Sequence, residues 1–413
     1  MKIYILSFLT RVKLMIEPFL SAASVLKKIE DAGFEAYFVG GSVRDFVLQK
    51  QIHDIDIASS ATPEEIKQIF PKTVDIGIEH GTVLVLYNGN SYEITTFRTE
   101  SEYEDFRRPK EVVFIRSLEK DLERRDFTIN AMAMDVHEQI HDPFGGKESI
   151  KAREIRTVGN AEERFHEDAL RMMRAVRFVS QLNFEIEAQT RKALTELGYL
   201  LEKIAIERKR AEFEKLMSGP SRKKAINIIL ETNLYAYLPG LENRKVELTK
   251  ILSYHCDELN TNEMWSLICF SLMKTGKNAE QFLRMWRLPV KQIKEIELIL
   301  NFLADRLEQE WTKYQIYSAG LHVSLAVERL YHVLNNSDST EAIESLTNMY
   351  RSLLIKQQTD LDIAGSDLLT WFNRKPGPWI KESLFKIESA VLEGLIENDK
   401  KQIKEWLLKC NQK

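Results

Sequence analysis

The sequence predicts an α+β fold, in which an amino-terminal domain with a mixed β-sheet and helices is followed by an all-helical neck, body and tail. Short apolar or alternating runs, typical of strands, recur between residues 36 and 115. From about residue 160 onward, apolar residues instead recur every three or four positions, as on one face of a helix. The change falls near residues 142–146 (DPFGG), where proline and paired glycines interrupt both kinds of element. We therefore place a boundary and a hinge there.

Length and composition indicate a globular protein of several domains. With 413 residues, the chain is too long for one ordinary hydrophobic core and predicts two to four domains. The content of 44% hydrophobic and 29% charged residues favours neither a disordered chain nor a membrane protein. The formal net charge is −4. If the protein binds RNA, its positive charge must be gathered locally, because the counterions released on binding come from the contacting patch.

The cysteines and the amino terminus favour a cytoplasmic protein. Cys256, Cys269 and Cys410 lack the spacing of a structural zinc site or a disulfide framework, which fits a reducing cytoplasm. The apolar run at the amino terminus lacks a small-residue cleavage site, so we expect no signal peptide. A natural helix start follows Met15, and residues 1–14 are interpreted as an amino-terminal extension or a mis-assigned start.

Periodicity assigns the elements of the amino-terminal domain in order. Residues 18–32 have the apolar spacing of a helix, and Gly33 follows where such a helix would end. Residues 80–97 predict a hairpin, because Asn88-Gly89-Asn90 lies between two strand-like runs and tolerates the positive φ of a tight turn. The strand-like runs are residues 36–39, 55–58, 82–86, 92–97 and 112–115.

The rest of the chain has the pattern of helices. The clearest are residues 162–182, 187–198, 207–218 and 291–310. No repeat of fixed period and no low-complexity tract is present in the sequence. The predicted domains are a head at residues 15–146, a helical neck at residues 147–218, and a helical body and tail at residues 219–413.

A pair of glycines between a strand and a helix is the first candidate binding feature. Gly40-Gly41 follows the run that ends at Val39 and precedes a helix-like stretch that contains Arg44. In such a turn, backbone N–H groups can approach phosphate oxygens, and the guanidinium adds a fork of donors. The same pattern is more often only a tight connection, so the motif alone does not decide between the two.

Two aspartates separated by one residue are the second feature. Asp54 and Asp56 lie at alternate positions of a predicted strand, so their side chains point to the same face. Neighbouring carboxylates repel each other unless a cation lies between them, and Mg²⁺ bound by carboxylates and substrate phosphates is the usual solution in phosphoryl transfer. The alternative is an exposed strand end without a metal.

A two-metal site would need a further carboxylate. Glu93 is the candidate, because it lies in the second strand of the predicted hairpin, which could pair beside the strand of the two aspartates. Glu93 could equally form a cross-strand salt bridge on the solvent face, and Asp121 or Asp126 could take the role instead.

A charged residue recurs at every third position in a segment that is predicted as one continuous helix. The series is Asp168, Arg171, Arg174 and Arg177. Neighbours in such a series lie close together on the helix surface. From the residues alone, the pattern indicates an ion pair followed by a solvated basic face.

Three motifs in a fixed order carry a family resemblance. They are residues 40–45 (GGSVRD), residues 54–56 (DID) and residues 124–133 (RRDFTINAMA). The chain thereby resembles the class II tRNA nucleotidyltransferases, which include bacterial and eukaryotic CCA-adding enzymes, in the polymerase-β-like nucleotidyltransferase superfamily. The match covers about residues 33–218. It implies a nucleotidyltransferase head, although analogy of fold alone would not establish a function.

The resemblance implies roles for the residues of these motifs. The paired aspartates of the family bind the catalytic metal ions, which maps onto Asp54 and Asp56. Nucleotide-binding positions map onto Gly41, Arg44 and Arg125, where an always-charged guanidinium can hold phosphate or ribose oxygens.

Two further residues of the third motif have two open interpretations. Under the resemblance, Asp126 and Asn130 contact or shape the sugar pocket. Otherwise they serve only in turns or helix capping.

The resemblance also reinterprets the Asp168 series as an amino-acid template for the incoming base, on a nucleobase-recognition helix of the neck. Cytosine and adenine both present an amino donor beside a ring-nitrogen acceptor. Asp168 would accept from the amino group while Arg171 donates to the ring nitrogen. Uracil and guanine present the opposite pattern and would leave buried polar groups unpaired. In the family, the positions of Arg174 and Arg177 also contact nucleotide.

The family changes from CTP to ATP with a flexible loop before the third motif. Residues 98–120 supply such a loop here, polar and charged enough to be mobile, and this favours full CCA addition over addition of CC alone. Residues 142–146 resemble the family's hinge, about which head and neck could rotate.

A basic segment is the candidate for tRNA contact. Between Lys203 and Lys224 lie eight basic residues and three acidic ones, and this excess could track phosphates of the tRNA acceptor stem. The alternative is the solvated basic face of an ordinary amphipathic helix.

The resemblance thus predicts an enzyme that adds and repairs the 3′-terminal CCA of tRNA without a template, from CTP and ATP, with release of pyrophosphate and with Mg²⁺ as cofactor. We expect a cytoplasmic protein without a membrane partner. Whether the protein forms a homodimer is not decided by the sequence. A poly(A) polymerase of the same superfamily would use CTP poorly. A catalytically silent RNA-binding protein would have no evident reason to retain Asp54 and Asp56.

Overall fold

The computed structural model of the 413-residue chain describes residues 17–52, 54–100, 103–104, 108–109, 112–273 and 276–410. The chain divides into two compact units. The first comprises the chain up to Leu216 together with Glu231–Tyr237, and the second comprises Met217–Leu230 and the chain from Leu238 onward. The predicted extension at residues 1–14 lies outside the described residues. The predicted division of head from neck near residue 146 stays a prediction.

The strands lie in the first unit. They are β1 (Ala36–Val39), β2 (Asp56–Ser59), β3 (Thr73–Gly77), β4 (Thr82–Tyr87), β5 (Asn90–Thr96), β6 (Arg98–Glu100), β7 (Tyr103–Glu104), β8 (Arg108–Pro109), β9 (Val112–Phe114), β10 (Ala133–Met134), β11 (Ile140–His141), β12 (Glu154–Ile155) and β13 (Glu185–Ile186). Seven of them form one sheet in the order β11-β10-β1-β2-β5-β4-β3. Its β2 and β5 pair in parallel, and the other neighbours are antiparallel. The predicted mixed sheet is therefore confirmed.

The predicted hairpin is confirmed as β4 and β5. Its turn at Asn88 and Gly89 has φ values of 49° and 81°, as a tight hairpin turn requires. Residues 112–115 contribute β9, which pairs with β6 outside the large sheet. The sequence analysis missed three strands of the large sheet, β3, β10 and β11. Strands β10 and β11 have two residues each, which is too short to give an alternating pattern.

The first unit also contains α-helices. They are α1 (Phe19–Asp31), α2 (Gly41–Val47), α3 (Pro63–Ile69), α4 (Leu118–Glu123), α5 (Gly146–Ala152), α6 (Ala161–Glu167), α7 (Leu170–Leu182), α8 (Ala188–Leu197) and α9 (Ile206–Met217). Short 3₁₀ turns lie at Ile78–His80, Thr128–Asn130, Gly198–Lys203 and Leu234–Tyr237. Helix α1 packs on β1 through Phe19 and Phe38, whose ring centroids are 4.8 Å apart.

The prediction of one continuous helix over residues 162–182 is wrong. Helix α6 ends at Glu167, and Asp168 has an extended backbone with φ −139° and ψ 102°. Helix α7 then begins at Leu170, whose N–H donates to the Asp168 side chain at 3.0 Å. The interruption occurs because an aspartate side chain can bond to a nearby backbone N–H in place of the helical ladder. Asp168 therefore lies before the helix that carries the arginines.

The second unit is helical throughout the ranges described. Its helices are α10 (Arg222–Glu231), α11 (Lys245–Ile251), α12 (Thr261–Ser271), α13 (Gly276–Met285), α14 (Val290–Glu308), α15 (Lys313–Leu334), α16 (Thr340–Ser352), α17 (Gly365–Phe372), α18 (Trp379–Leu392) and α19 (Lys400–Cys410), with a 3₁₀ turn at Gln358–Asp360. Helix α15 is interrupted at Gly320, which has φ 72°. Among the described helices, none combines the length and the apolar character needed to cross a membrane.

Candidate active site

A cavity of about 590 Å³ in the first unit brings most of the predicted site residues together. Those in its walls are Gly41, Arg44, Asp56, Arg125, Asp168, Arg171, Arg174 and Arg177. The sequence analysis did not assign six other wall residues to a nucleotide site; they are Arg98, Arg124, Leu170, Phe178, Gln181 and Arg208. Asp126 and Asn130, which had two open interpretations, also line the cavity.

The glycine pair lets two charged side chains approach the backbone. Gly40 has φ 71°, a conformation that residues with a Cβ rarely adopt. A Cβ at this position would lie 3.1 Å from Nη1 of Arg125 and 3.7 Å from Oδ2 of Asp56. The turn before α2 thus places a guanidinium and a carboxylate against the same stretch of backbone.

The two aspartates are close enough to repel each other. Strand β2 begins at Asp56, so the prediction that both residues lie within the strand is wrong, and Asp54 precedes it. Desolvation raises the pKa of the Asp56 carboxyl, Arg125 lowers it, and the negative charge of Asp54 raises it again. A bound divalent cation would relieve this repulsion, so the pair fits a metal ion.

Glu93 lies beside this pair in the sheet. Asp56 of β2 and Glu93 of β5 are direct partners in the parallel register, which confirms the predicted pairing of their strands. Within the described part of the chain, no group of three or more His, Cys, Asp or Glu side chains is close enough together to hold a metal ion. A third carboxylate ligand therefore stays a prediction.

The competing candidates for a third metal ligand are both occupied by arginines. Asp121 is 1% exposed and accepts hydrogen bonds from Arg124 at 2.8 Å and from Arg125 at 3.2 Å. The backbone N–H of Arg98, at the start of the predicted loop, also donates to Asp121 at 3.3 Å. Asp121 thus fixes the position of Arg125 in the cavity wall.

Asp126 anchors a chain of hydrogen bonds along the cavity wall. Arg174 Nε donates to Asp126 Oδ2 at 2.7 Å, and Asn130 Nδ2 donates to Asp126 Oδ1 at 3.1 Å. Arg44 Nη1 in turn donates to Asn130 Oδ1 at 2.9 Å. Burial alone would raise the pKa of Asp126, but the charge of Arg174 and these hydrogen bonds lower it to about 2. Asp126 also accepts a hydrogen bond from the backbone N–H of Phe127 at 2.8 Å. Asp126 therefore makes a local turn hydrogen bond and also lines the cavity.

Two of the three arginines of α7 are buried and Arg174 is partly exposed but paired with Asp126, so the interpretation as a solvated basic face is wrong. Arg171 and Arg177 are 7% and 8% exposed. Arg171 donates to Glu167 at 2.5 Å and to the carbonyl oxygen of Arg124 at 3.1 Å. Arg177 forms an ion pair with Glu212 of α9 at 2.9 Å, while burial lowers its pKa to about 10.

Phe178 collects three of the guanidinium groups around one ring. The guanidinium carbons of Arg44, Arg174 and Arg177 lie 5.3, 5.7 and 4.2 Å from its ring centroid. Such cation–π contacts hold side chains of like charge close together. No signal in the sequence distinguishes this phenylalanine from an ordinary core residue, and Phe178 is also buried.

Asp168 pairs with a residue that the sequence analysis did not connect to it. Arg208 of α9 donates to Asp168 Oδ2 at 2.7 Å and to Oδ1 at 3.3 Å. The two residues are 40 positions apart. No local spacing could have indicated the pair, because Arg208 stood only in the basic segment assigned to tRNA contact.

Some side chains of that basic segment are buried. Lys209 is 4% exposed and donates to the carbonyl oxygen of Tyr237 at 3.4 Å. Arg222, also 4% exposed, donates to the carbonyl oxygens of Gly219, Cys256, Leu259 and Asp257. Lys209 and Arg222 therefore stabilise the fold and Arg208 lines the cavity, so not all eight basic residues of the segment can track tRNA phosphates. Contact of the others with tRNA stays a prediction.

Comparisons with protein families identify the class of protein. The profile of the poly A polymerase head domain matches residues 36–156, which contain the sheet and its carboxylates. The profile of the probable RNA and SrmB-binding site of polymerase A matches residues 183–245, and that of tRNA nucleotidyltransferase domain 2 matches residues 259–407. Together with the cavity, these matches define a nucleotidyltransferase of the polymerase type.

Individual relatives narrow the class to one family. CCA-adding enzymes of Bacillus cereus (strain AH820) and Bacillus anthracis are 46% identical over 396 residues, which are 96% of this chain and 99% of theirs. The crystal structure of the Bacillus stearothermophilus CCA-adding enzyme in complex with CTP superposes with a TM-score of 0.90 at 44% identity, over 96% of this chain and 98% of that one. The chain belongs to the family of CCA-adding enzymes.

The match extends to more distant members of the fold. The Thermotoga maritima CCA-adding enzyme complexed with tRNA shares the fold, with a TM-score of 0.62 at 22% identity over 97% of each chain. The predicted resemblance and the predicted α+β fold are therefore confirmed. Enzymes of this family use divalent metal ions.

Proposed function

We propose that this protein adds CCA to the 3′ end of tRNA from CTP and ATP, without a nucleic-acid template and with release of pyrophosphate. The observation that carries the proposal is the joint presence, in one cavity, of the Gly40-Gly41 turn, the Asp56 carboxylate and the Asp168 and Arg171 side chains. Relatives named CCA-adding enzymes that match over 96% of the chain, one of them solved with CTP, support it.

The arginine-rich walls suit a nucleoside triphosphate. Eight arginines and three aspartates line the cavity. Most of these arginines are held by ion pairs, so they are in place before the ligand arrives, and their planar guanidinium groups match phosphate oxygens. We infer that Gly41, Arg44, Arg125, Arg174 and Arg177 hold the triphosphate and ribose.

Selection of the base follows from the polarity of two side chains, one buried (Arg171) and one partly buried (Asp168). Asp168 is an acceptor and Arg171 is a donor, and both line the cavity. The pair is complementary to the amino group and ring nitrogen of cytosine and of adenine. Uracil and guanine would set their carbonyl oxygen against the carboxylate and leave buried groups unpaired, which is costly.

The chemistry is a displacement at the α-phosphorus of the bound nucleotide. The 3′-hydroxyl oxygen of the tRNA forms the new bond, the bond to the pyrophosphate oxygen breaks, and the hydroxyl proton is lost to solvent. Mg²⁺ held by Asp54 and Asp56 would favour the ionised hydroxyl and offset the charge on the leaving pyrophosphate. Glu93 is the proposed third ligand, because it is the register partner of Asp56.

The same activity includes repair, because a shortened tRNA end is an intermediate of synthesis. We place the enzyme in the cytoplasm, where its tRNA substrates are made and used. The proposed partners are tRNA, CTP and ATP.

The test is an incubation of purified protein with Mg²⁺ and a tRNA that lacks its CCA end. CTP, ATP, UTP and GTP are supplied singly, and CTP and ATP are also supplied together. The expected result is addition of two C residues from CTP, and of CCA followed by a stop from the mixture. A long A tail from ATP alone would identify a poly(A) polymerase instead, and no incorporation would indicate a binding protein.

A further inference from the structure

Helix α9 presents two charged side chains, one turn apart, to the residues that line the cavity. Arg208 pairs with Asp168, and Glu212 pairs with Arg177 at 2.9 Å. Residues four apart on a helix lie on the same face, so a single face of α9 contacts both ends of the charged series. Helix α9 therefore contacts the residues that are proposed to recognise the base.

The hydrogen bonds of Asp168 leave one acceptor position open. An ionised carboxylate offers about four lone-pair positions, two on each oxygen. Oδ1 accepts from Arg208 at 3.3 Å and from the Leu170 N–H at 3.0 Å. Oδ2 accepts from Arg208 at 2.7 Å and retains one lone pair. One N–H donor of an exocyclic amino group would fill that position.

We infer that Arg208 is a positioning residue for base selection, which rests on the function proposed above. Its two-point contact fixes the plane of the Asp168 carboxylate, so the open acceptor position on Oδ2 keeps one direction. A carboxylate free to rotate would not hold this position against the exocyclic amino group, and the preference for an amino donor over a carbonyl oxygen would weaken. Arg208 therefore enforces the rejection of UTP and GTP without touching the base itself.

The energetics of this ion pair allow a clean test. The side chains of Arg208 and Asp168 are 26% and 17% exposed, so the pair is partly screened by solvent. Partly exposed ion pairs contribute little to folding stability. Substitution of Arg208 is therefore expected to leave the protein folded while it changes the geometry of Asp168.

The experiment measures first-nucleotide addition to a tRNA that lacks CCA, with CTP and with UTP, for wild type, Arg208→Gln and Arg208→Lys. In Arg208→Gln, the ratio of kcat/KM for CTP to that for UTP should fall about ten-fold or more, mainly through a higher KM for CTP and a new use of UTP. Arg208→Lys retains the charge but not the two-point contact, and it should give a smaller fall.

The control is Arg156→Gln, which removes an exposed arginine paired with Glu154 at 3.1 Å. It should keep the wild-type ratio. If both Arg208 variants lose the same fraction of kcat/KM with CTP and with UTP, so that the ratio is unchanged, Arg208 has only a structural role and the inference is overturned. If the wild type itself adds no C, the proposed function fails; if the wild type is selective and both variants stay selective, only the inference about Arg208 fails.

Discussion

Buried charges determine the site at the scale of single residues. Burying a charged group without a partner costs a large amount of free energy. The charged side chains of the cavity wall accordingly have groups of opposite charge close by. Asp121 holds Arg125, Asp126 holds Arg174, and Arg208 holds Asp168. The result is a set of donors and acceptors that is fixed before a nucleotide binds, which reduces the reorganisation needed during the reaction.

The first prediction concerns Asp126. Asp126→Asn should lower the free energy of unfolding by about 2 kcal/mol near neutral pH, because the folded protein lowers the pKa of this carboxyl from 3.8 to about 2. A group whose pKa is lowered on folding stabilises the protein above its ordinary pKa, and that stabilisation is lost as the pH falls towards about 2.

Denaturant unfolding of wild type and variant between about pH 7 and pH 3 measures the effect. The difference between them should stay constant down to about pH 5 and then narrow. Asp75→Asn is the control, because Asp75 is half-exposed and pairs with Lys67 on the surface. A difference for Asp126→Asn that does not change with pH would contradict the prediction.

The second prediction concerns the paired aspartates. Asp56→Asn should reduce kcat for nucleotide addition by roughly 10³-fold or more, since a catalytic metal ion contributes several kcal/mol to the reaction. CTP binding measured by calorimetry without divalent ions should change far less, because the arginines remain. Asp56→Asn activity within ten-fold of wild type would exclude the residue as a metal ligand.

The predicted third metal ligand, Glu93, is tested with the variant Glu93→Gln beside Asp56→Asn. A comparable loss of kcat is expected if Glu93 binds metal as its register with Asp56 suggests. Wild-type activity would assign Glu93 to the solvent face of the sheet instead.

At the scale of elements, two short connections position the site residues. The break between α6 and α7 removes Asp168 from the helical ladder, so that its side chain can pair with α9. The turn at residues 142–146 is the other connection. Asp142 accepts hydrogen bonds there from the N–H groups of Gly146 at 2.6 Å and Lys147 at 2.9 Å. This segment is the predicted hinge, and rotation about it stays a prediction.

The third prediction concerns Gly146 at the start of α5. A Cβ there would lie 2.8 Å from Sδ of Met132 and closer still to the carbonyl oxygen of Thr128. Gly146→Ala should therefore destabilise the protein by about 1–3 kcal/mol. It should also raise the KM for CTP, because Thr128 begins the 3₁₀ turn that carries Asn130 into the cavity wall.

Gly89→Ala is the matched control for Gly146→Ala. Gly89 has φ 81°, and a Cβ at this position would meet nothing within 4 Å, so the substitution costs only about 1 kcal/mol of backbone strain. Its KM for CTP should stay at the wild-type value. A Gly146→Ala protein with unchanged stability and KM would show that the turn can move away from Thr128.

At the scale of the whole molecule, each unit has its own buried charges. In the second unit, Arg306 of α14 and Glu328 of α15 are 8% and 3% exposed and form an ion pair at 2.9 Å. The Nε1 atom of Trp311 also donates to Glu328 at 2.7 Å. The formal net charge of −4 thus says little about either interior, because the charges are paired locally.

The fourth prediction separates the buried partner of Arg306 from its exposed one. Glu328→Ala should lower the free energy of unfolding by about 3–5 kcal/mol, because it leaves a buried guanidinium without its partner. Glu310 pairs with the same arginine at 3.2 Å but is 84% exposed, so Glu310→Ala should cost less than about 0.5 kcal/mol. Denaturant unfolding measures both, and equal effects would contradict the assignment. CTP affinity of the folded variants should be unchanged, because neither glutamate lines the cavity.

The sequence by itself determined the features that depend on neighbouring residues. Alternating apolar residues and Asn88-Gly89 identified the β4 and β5 hairpin, since turn geometry is set by the residues in the turn. The Gly40-Gly41 pair, the Asp54 and Asp56 pair and the motif at residues 124–133 indicated the family, because each is a short run of fixed spacing.

Only the tertiary structure decided which side chains meet. Arg44 and Asn130 are 86 positions apart, Arg174 and Asp126 are 48 apart, and Arg208 and Asp168 are 40 apart. Local patterns in the sequence could not reveal these pairs. The same patterns assigned the arginines of α7 to a solvated face. A charged side chain looks the same in sequence whether water or a distant partner satisfies it, and the burial that demands a partner arises only when the helices pack.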